Sequence, residues 1–262
     1  MICVFDIETI PDTRLIRDVL HFEGDDYTVS TLATKEQEEK SGTSFLPLPF
    51  HKIVAISAVI ADDFGQFRKV SSIEGSDEKA MIKNFLGFIN KHNPKLISFN
   101  GRSFDMPLLM LRAMQYNLTC NAYFEVDNKE LNKNKWENYR VRFSDRFHVD
   151  VMDHLCEFGA VRGLKLDHVC SMVGLPGKYD VHGDQVMELY YAGEIEKIKE
   201  YCESDVLNTY WLFLKYELLK GNLVIEDYQR ALATMQENLR TEKSYADVFG
   251  IAIEDELYKE QM

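Results

Sequence analysis

The sequence lacks the cysteine pattern of a disulfide-bonded or zinc-binding protein. Its 262 residues include five cysteines, an odd number, and no two of them form a C-x-x-C pair. Most of them lie inside apolar stretches, where cysteine behaves as a small hydrophobic side chain. We therefore predict that the cysteines are buried and have neither a redox nor a metal-binding role.

Long apolar runs are also missing. No stretch approaches the roughly 20 apolar residues that a transmembrane helix needs. The N-terminus lacks the basic region, apolar core and cleavage site of a signal peptide. We expect a cytoplasmic protein without a membrane partner, long enough for one large α/β domain or two small ones.

Positive charge is scarce. The chain has 30 Lys and Arg residues against 43 Asp and Glu residues, so its formal net charge is −13 and its pI is about 5.0. This balance argues against a protein that coats duplex nucleic acid with a broad basic surface. It leaves room for a local groove that binds phosphates.

What the sequence does contain is a short acidic strand near its N-terminus. Residues 4–9, V-F-D-I-E-T, alternate apolar and polar side chains with the period of a half-buried strand. Asp6 and Glu8 are two positions apart and would point to the same side of a sheet. Like charges that close repel, and a divalent cation would relieve the repulsion. A polar strand face with two solvated acids is an equally good interpretation of this stretch alone.

The rest of the sequence predicts alternating strands and helices. β-branched runs between turn residues indicate strands, and apolar residues at helical spacing between capping residues indicate helices. Because of its two prolines, segment 45–50 is expected to be an extended apolar strap rather than a helix. The predicted elements are a helix at 15–20, a hairpin of strands 53–60 and 67–70, a helix capped by Ser76, a strand at 95–99, a helix from Pro107 to Gln115, a strand at 147–151, and helices at 164–173, 186–191, 195–219 and beyond 224.

Two further acids stand at informative places in this pattern. Asp105 is predicted at a strand-to-helix junction, where a helix N-cap is the ordinary alternative. Tyr201 and Asp205 are four residues apart on the helix 195–219 and share one face of it, at the edge of the apolar stripe. A tyrosine packed beside a surface aspartate is the ordinary alternative there.

Segment 121–146 carries an excess of positive charge. It holds six Lys and Arg residues against five Asp and Glu residues, with Trp136, Tyr139 and Phe143 interleaved. Such a segment could contact the phosphates and bases of a single strand, or it could be a solvated loop. Asp150, Asp153 and His154 follow it, and we interpret them as a supporting shell for a site.

Four carboxylates, on a strand, a strand-to-helix junction and a late helix, suit two hard divalent cations. Mg²⁺ and Mn²⁺ prefer oxygen ligands, and paired cations about 3.5–4 Å apart are common in phosphodiester cleavage. One cation would activate a water and the other would stabilise the leaving 3′ oxygen, while the Tyr201 phenol orients the water. The four acids are Asp6, Glu8, Asp105 and Asp205.

These residues resemble the DEDD superfamily of 3′-5′ exonucleases. The three motifs are F-D-I-E-T at 5–9, N-G-R-S-F-D at 100–105 and Y-C-E-S-D at 201–205. Tyrosine four residues before the last aspartate marks the DEDDy branch; the other branch has histidine where this chain has Glu200. Segments 45–54 and 174–178 are similar to stand-alone exonucleases related to the proofreading domain of family B DNA polymerases.

The resemblance implies a fold and a domain division. The fold would be α/β, with a ribonuclease H-like mixed central sheet flanked by helices. Residues 1–220 would form the exonuclease domain, with 12–49 and 121–146 as insertions. Residues 221–262 would be a C-terminal helical extension packed on the same domain.

The resemblance also implies roles for individual residues. Asp6 would bridge both cations, Glu8 and Asp205 would bind the cation on the nucleophile side, and Asp105 would serve the other largely through water. Tyr201 would position the nucleophile. The positions of Asn100 and Phe104 match those that contact the terminal nucleotide.

The resulting hypothesis is a metal-dependent 3′-5′ exonuclease that releases nucleoside 5′-monophosphates from single-stranded DNA. The choice of DNA over RNA rests on the resemblance, because no motif reads a 2′-hydroxyl. The alternatives are an exoribonuclease, a catalytically silent nucleic-acid-binding module, and a phosphoesterase for small nucleotides. The sequence holds no polymerase domain, so a proofreading role does not carry over, and no replication or repair partner can be named.

Overall fold

Five strands form one mixed sheet. The structure is a computed structural model, and it describes residues 1–177 and 183–259. The strand order is β3-β2-β1-β4-β5, with antiparallel pairing from β3 to β1 and parallel pairing from β1 to β5. The strands are β1 (Ile2–Pro11), β2 (His51–Ala61), β3 (Phe67–Ser72), β4 (Lys95–Ser98) and β5 (His148–Asp150).

Helices cover both faces of this sheet, so the predicted mixed α/β architecture is confirmed. Among the described helices, none has the length and apolarity needed to cross a bilayer. The helices are α1 (Thr13–Leu20), α2 (Asp26–Ser41), α3 (Glu78–His92), α4 (Asp105–Gln115), α5 (Asn121–Phe124), α6 (Val151–Leu155), α7 (Leu166–Val173), α8 (Val186–Tyr191), α9 (Ile195–Leu219), α10 (Ile225–Asn238) and α11 (Ala246–Lys259).

The central strand β1 has a buried face on each side. Phe5 and Ile7 belong to the core under α3 and α4, together with Phe85 of α3. Val4 points the other way, into the core under α9, where it joins Trp211. This alternation follows from the two-residue repeat of a strand. It means that β1 is packed between helical layers on both faces.

The C-terminal helices α10 and α11 pack on the outer side of α9. Trp211 donates its indole N–H to the hydroxyl of Tyr228 at 2.8 Å, and that hydroxyl donates to Glu256 at 2.8 Å. Tyr228 and Phe249 belong to the same buried cluster as Val4. The helices predicted beyond residue 224 are therefore present and packed, while the division at residue 220 stays a prediction.

Segment 12–49 forms two helices around a small cluster of its own. Ile16, Val29, Ala33 and Leu46 are buried together between α1, α2 and the following turn. The charged stretch at 35–40, which lacked an apolar stripe, lies within α2. The sequence predicted α1 and missed α2, because the face that α2 buries is formed by small residues.

A buried ion network joins this segment to the helices on the sheet. Asp12 accepts from the backbone N–H of Leu15 at 3.2 Å and so caps α1, and it also pairs with Arg112 of α4. The Arg112 Nε donates to Glu78 of α3 at 2.7 Å, and Glu78 also accepts from the Ile53 N–H. Because each buried charge has an opposite charge beside it, burial is tolerated.

Three local predictions were wrong. The cap of α3 is Asp77, which accepts from the Ala80 N–H at 2.8 Å, and Ser76 lies one position earlier. Leu48–Phe50 forms one 3-10 turn inside the strap that was expected to be extended, because proline is tolerated in the first turn of a helix. α4 begins at Asp105, before Pro107, for the same reason.

Other boundaries agree with the predictions. The observed α8 and α9 coincide with the predicted 186–191 and 195–219. Gly174 ends α7 in the left-handed region at φ 77°. Gly177 of the turn that follows also has positive φ, and Lys178 lies outside the described residues.

Candidate active site

The predicted acids meet where α9 crosses β1. Val4, Asp6 and Glu8 share one face of the strand by its two-residue repeat. The C-terminal half of α9 covers the apolar part of that face, and the N-terminal half places Tyr201 and Asp205 beside the two acids. The spacing within each pair therefore correctly predicted that Asp6 and Glu8 share one face of the strand and that Tyr201 and Asp205 share one face of the helix.

Asp105 reaches the same place from the start of α4. Its side chain is buried, and Oδ1 accepts from the backbone N–H of Ile7 at 3.2 Å. Its carboxyl group also shares a hydrogen bond with Asp6. The N-cap position belongs to Phe104, which makes no side-chain capping bond. The junction prediction for Asp105 is confirmed, and the alternative of an N-cap is wrong.

Burial and mutual repulsion govern the charge of this acid cluster, which comprises Asp6, Glu8, Asp105 and Asp205. Burial raises the pKa of Asp6 well above its usual range, and the charges of the other three acids raise it further. Burial also raises the pKa of Asp105 to about 7, with a further upward contribution from the charge of Asp150. Such carboxylates ionise together only when a counter-charge lies close to them.

The available donors fit hard divalent cations. Among the described residues, ligand atoms of Asp6, Glu8 and Cys202 lie within 4.8 Å of one another. Burial raises the pKa of the Cys202 thiol well above its usual range, and this thiol donates to the backbone oxygen of Asp6. A protonated thiol is a poor ligand, so carboxylate oxygens remain as the donors. Oxygen donors alone suit Mg²⁺ or Mn²⁺ better than zinc.

Tyr201 lies one helical turn before Asp205, with its phenol in the acid cluster. The side chain is buried, and burial raises its pKa. The charges of Asp205, Glu8 and Asp6 and a hydrogen bond with Asp205 raise that pKa further. The phenol therefore keeps its proton, so it can donate one hydrogen bond and accept another.

The loop that carries Asn100 is fixed by Asp150. The two oxygens of Asp150 accept the backbone N–H groups of Asn100 and Arg102, each at 2.8 Å. Gly101 lies so close to Ser98 that a Cβ there would stand 2.5 Å from the Ser98 Cβ. A residue with a side chain does not fit this loop without a shift.

Phe104 belongs to an aromatic cavity on one side of the acid cluster. Its ring centroid lies 5.2 Å from those of Phe45 and His51, and the last two rings are 4.7 Å apart. The Nδ1 atom of His51 lies 3.0 Å from the Thr9 hydroxyl oxygen, and its Nε2 atom lies 3.0 Å from the backbone oxygen of Leu46. The cavity measures about 500 Å³, and Glu8 lies in its wall.

A second cavity, which we call the polar cleft, lies on the other side of the acid cluster. It measures about 470 Å³, and Asp6, Asn100 and Asp205 form one wall. Segment 164–168, at the start of α7, lines the cleft as well, and Met152 of α6 contributes to it. The acid cluster thus separates an aromatic cavity from a polar one.

The basic segment 121–146 is partly structural. Tyr139 is fully buried and donates its hydroxyl to the Pro94 oxygen at 2.6 Å, so its ring is neither available to stack on a base nor solvated. Lys133 is buried and bonds Glu125 at 2.9 Å. Trp136 and Phe143 are exposed, at 71% and 72%. For these two side chains, contact with a nucleic-acid strand stays one of the two hypotheses for this segment.

The supporting shell after this segment is smaller than predicted. Asp150 supports the loop of Asn100 through its two backbone bonds. Asp153 instead binds the guanidinium of Arg142 at 2.6 Å, and His154 lies 3.1 Å from the hydroxyl of Tyr216. Asp153 and His154 hold α6 in place and do not line either cavity.

The sequence interpretation missed several residues that face the site. His51 and Phe45 line the aromatic cavity, and Lys165 and His168 line the polar cleft. The spacing of Lys165 and His168, three apart at the start of a helix, was a usable signal. Nothing in the sequence indicated that α7 starts beside Asp6. All five cysteines are buried and unpaired, as predicted.

Most of the chain matches a known family of nuclease domains. Residues 43–252 match a family model described as a predicted 3′-5′ exonuclease related to the exonuclease domain of PolB. The chain belongs to this family. The match includes the second and third motifs, while Asp6 and Glu8 precede it. The resemblance predicted from the motifs is thereby confirmed.

Individual relatives of this family member are DNA polymerases. A DNA polymerase from Archaeoglobus fulgidus is 26% identical over 162 residues, which cover 59% of this chain and 20% of that protein. The catalytic polypeptide of DNA polymerase epsilon from Emericella nidulans is 28% identical over 141 residues, 53% of this chain and 6% of that protein. The chain spans a fifth or less of the length of these relatives.

A solved structure shares the fold. The family B DNA polymerase from the archaeon Pyrobaculum calidifontis aligns with a TM-score of 0.50 and 18% identity. The alignment covers 96% of this chain and 26% of the polymerase. The predicted ribonuclease H-like mixed sheet with flanking helices is confirmed by this likeness.

Proposed function

We propose that the chain is a metal-dependent 3′-5′ exonuclease that releases nucleoside 5′-monophosphates from the 3′ ends of single-stranded DNA. The observation that carries this proposal is the meeting of Asp6, Glu8, Asp105 and Asp205 around the buried phenol of Tyr201. These four acids would hold two Mg²⁺ or Mn²⁺ ions, which when bound supply water activation and neutralise charge on the leaving oxygen.

Tyr201 would orient the attacking water. Its phenol keeps its proton because burial and the nearby acids raise its pKa. It acts as a hydrogen-bonding group rather than a base. The helix α9 fixes the phenol relative to Asp205, so the water would be held in one direction, and orientation alone is worth a large part of a rate enhancement.

Phe104 and Asn100 would bind the terminal nucleotide. Phe104 offers part of its ring in the aromatic cavity, where a base can stack. Asn100 lies in the polar cleft, on the loop that Asp150 holds. The terminal base in the aromatic cavity and its phosphate at the acid cluster would place the bond to be cleaved among the four acids.

We propose DNA rather than RNA as the substrate because the relatives from Archaeoglobus fulgidus and Emericella nidulans are DNA polymerases. The division into an exonuclease domain at 1–220, with insertions at 12–49 and 121–146, and an extension at 221–262 belongs to the same proposal. The packing of α10 and α11 on α9 supports an extension that rests on the domain.

The test uses matched 5′-labelled single strands of DNA and RNA, each with a free or a blocked 3′ end, in Mg²⁺ or Mn²⁺. We expect a ladder that shortens from free 3′ ends only, with DNA degraded faster than RNA. Faster degradation of RNA would identify an exoribonuclease instead. A protein that retards the strands without shortening them would be a binding module.

Variants assign the activity to the site. Asp205→Asn should lower the rate by at least about 10³-fold, since a catalytic group that binds the cations is lost. Asp18→Asn is the matched control, because Asp18 is an exposed acid on α1 with no ion pair among the described residues. Wild-type rates for Asp205→Asn would refute the proposed site.

A further inference from the structure

A buried glutamate lies between Tyr201 and Asp205 on α9. Glu203 is two residues from each of them, and only 4% of its surface is exposed. At about 100° per residue, helix positions two apart point in nearly opposite directions. The carboxylate of Glu203 therefore lies on the back of α9, away from the acid cluster.

Donors from two distant parts of the chain bind this carboxylate. Its Oε1 accepts the backbone N–H of Ser72 on β3 at 2.8 Å and the Ser72 hydroxyl at 2.9 Å. Its Oε2 accepts the hydroxyl of Tyr245 at 3.0 Å, and the Lys243 ammonium lies 3.6 Å from the same oxygen. At this level α9 is thus fixed between an edge strand of the sheet and the segment that joins α10 to α11.

The same segment also holds Glu200, which is three residues before Glu203 and shares its face of the helix. The backbone N–H and the hydroxyl of Ser244 donate to Oε2 of Glu200 at 3.1 and 2.6 Å. The Lys243 ammonium lies 3.5 Å from Oε1 of Glu200. Residues 243–245, which we call the clasp, therefore bind α9 at two successive positions.

Hydrogen bonds of this kind fix a helix more narrowly than apolar contacts do. The following part of α9 is held by the apolar core that includes Val206 and Trp211. Apolar contact has little dependence on direction, whereas a hydrogen bond weakens steeply as its angle departs from linear. Because apolar side chains can often replace a buried ion pair without loss of stability, stability alone does not explain a buried carboxylate here.

We propose that the clasp positions Tyr201 and Asp205 for the reaction by holding Glu200 and Glu203 on the back of α9. This inference rests on the proposed exonuclease function and gives the C-terminal extension a role in it. The clasp residues line neither cavity, so they act as positioning residues. A misplacement of about 1 Å can cost about 100-fold in rate, so a small movement of α9 is enough.

A second network of the same composition provides the control. Glu256 of α11 is buried, accepts the hydroxyl of Tyr228 at 2.8 Å and pairs with Lys215 of α9. Lys215 is about 15 Å further along α9 than Asp205, at 1.5 Å per residue. Both networks join the extension to α9 through a buried glutamate, a tyrosine hydroxyl and a lysine. Only the first lies level with the acid cluster.

The first test compares the two tyrosines on single-stranded DNA. Tyr245→Phe removes the hydroxyl and keeps the buried ring, so kcat should fall about tenfold while KM stays within about twofold. Tyr228→Phe should leave kcat unchanged, although it also removes the bond from Trp211. Equal kcat values in the two variants would overturn the inference, because a purely structural role predicts no difference between them.

The two lysines repeat the comparison without a change in a buried ring. Lys243→Met should lower kcat about threefold, the size expected for a partly exposed ion pair. Lys243→Arg should restore most of the rate because it keeps the charge. Lys215→Met should leave kcat unchanged. A fall in kcat as large in Lys215→Met as in Lys243→Met would contradict the positioning role.

Cation binding keeps this inference separate from the proposed function. Electron paramagnetic resonance measures Mn²⁺ binding without a strand, and Tyr245→Phe should weaken it several-fold because Asp205 is less well fixed, whereas Tyr228→Phe should not. If the wild type binds Mn²⁺ but shortens no strand, the proposed function fails while the Mn²⁺ affinities still test the clasp.

The remaining outcomes are equally distinct. If the wild type degrades DNA and Tyr245→Phe matches Tyr228→Phe in both kcat and Mn²⁺ affinity, this inference fails alone. A wild type that neither binds Mn²⁺ nor shortens a strand would refute both proposals.

Discussion

The backbone N–H of Ile7 donates to Oδ1 of Asp105, with 3.2 Å between the two atoms. Ile7 lies between Asp6 and Glu8 on β1, and Asp105 is the first residue of α4. The bond therefore ties the first acidic motif to the second through the backbone. The position of Asp105 depends on a neutral donor as well as on the charges around it.

This relationship predicts opposite effects of one substitution on stability and activity. Asp105→Asn keeps an oxygen that can accept the Ile7 N–H but removes a buried charge, so the metal-free protein should be equally stable or more stable, by about 1 kcal/mol. Activity should fall at least about 100-fold because the variant lacks a proposed cation ligand. Denaturant unfolding in chelator and exonuclease rates in Mg²⁺ provide the two measurements. Asp105→Asn with wild-type activity would contradict the ligand role.

The phenol of Tyr201 should affect turnover rather than binding. Tyr201→Phe removes the hydroxyl and keeps the ring, so kcat should fall about 10²-fold while KM stays within a few-fold, the loss expected for an unoriented water. Tyr190→Phe on α8 is the control, because Tyr190 is only partly buried. A large rise in KM with unchanged kcat would instead assign Tyr201 to substrate binding.

Only glycine should fit at position 101, because Ser98 leaves no room there for a side chain. Gly101→Ala would place a Cβ 2.5 Å from the Ser98 Cβ, and such overpacking typically costs about 1–3 kcal/mol. Adding Ser98→Gly removes the clashing atoms and should recover part of the loss in the unfolding free energy. Gly87→Ala on α3 is the control: no atom lies within 4 Å of its added Cβ, so it should stabilise the helix by about 0.5–1 kcal/mol. Equal effects at both glycines would contradict this account.

The acid cluster could be predicted from the sequence because its parts follow simple repeats. The two-residue repeat of a strand placed Asp6 and Glu8 on one face, and the helical repeat placed Tyr201 beside Asp205. Asp105 was located by the strand-to-helix junction. None of these steps required knowledge of how distant elements pack.

The walls of the two cavities could not be predicted in the same way. Phe45 and His51 meet Phe104 only because segment 12–49 folds back as two helices, one of which has no apolar stripe. Lys165 faces Asp6 because α7 packs against α9, which no local pattern encodes. The burial of Tyr139 in the basic segment could not be predicted for a related reason. Tertiary contacts bury this side chain, and its charged sequence neighbours did not indicate them.

Acid sensitivity of the fold should originate in part from His148. Its Nε2 lies 2.8 Å from the Ser98 hydroxyl, and burial lowers its pKa well below the usual range, with the charge of Arg102 lowering it further. The unfolded chain would bind a proton near pH 6.5, whereas the folded chain would not. The contribution of His148 to stability is therefore present above that pH and is lost as the pH falls below it.

The size of this effect follows from proton linkage. Below pH 6.5 a single histidine that stays neutral in the fold lowers the unfolding free energy by up to about 1.4 kcal/mol per pH unit. His148→Gln, whose amide can still bond Ser98, should be less stable at neutral pH but should show a shallower decline between pH 7 and pH 5. His92→Gln is the control, because His92 is exposed at the end of α3. An unchanged decline in His148→Gln would assign the acid sensitivity to another buried group, such as His51, whose pKa burial also lowers.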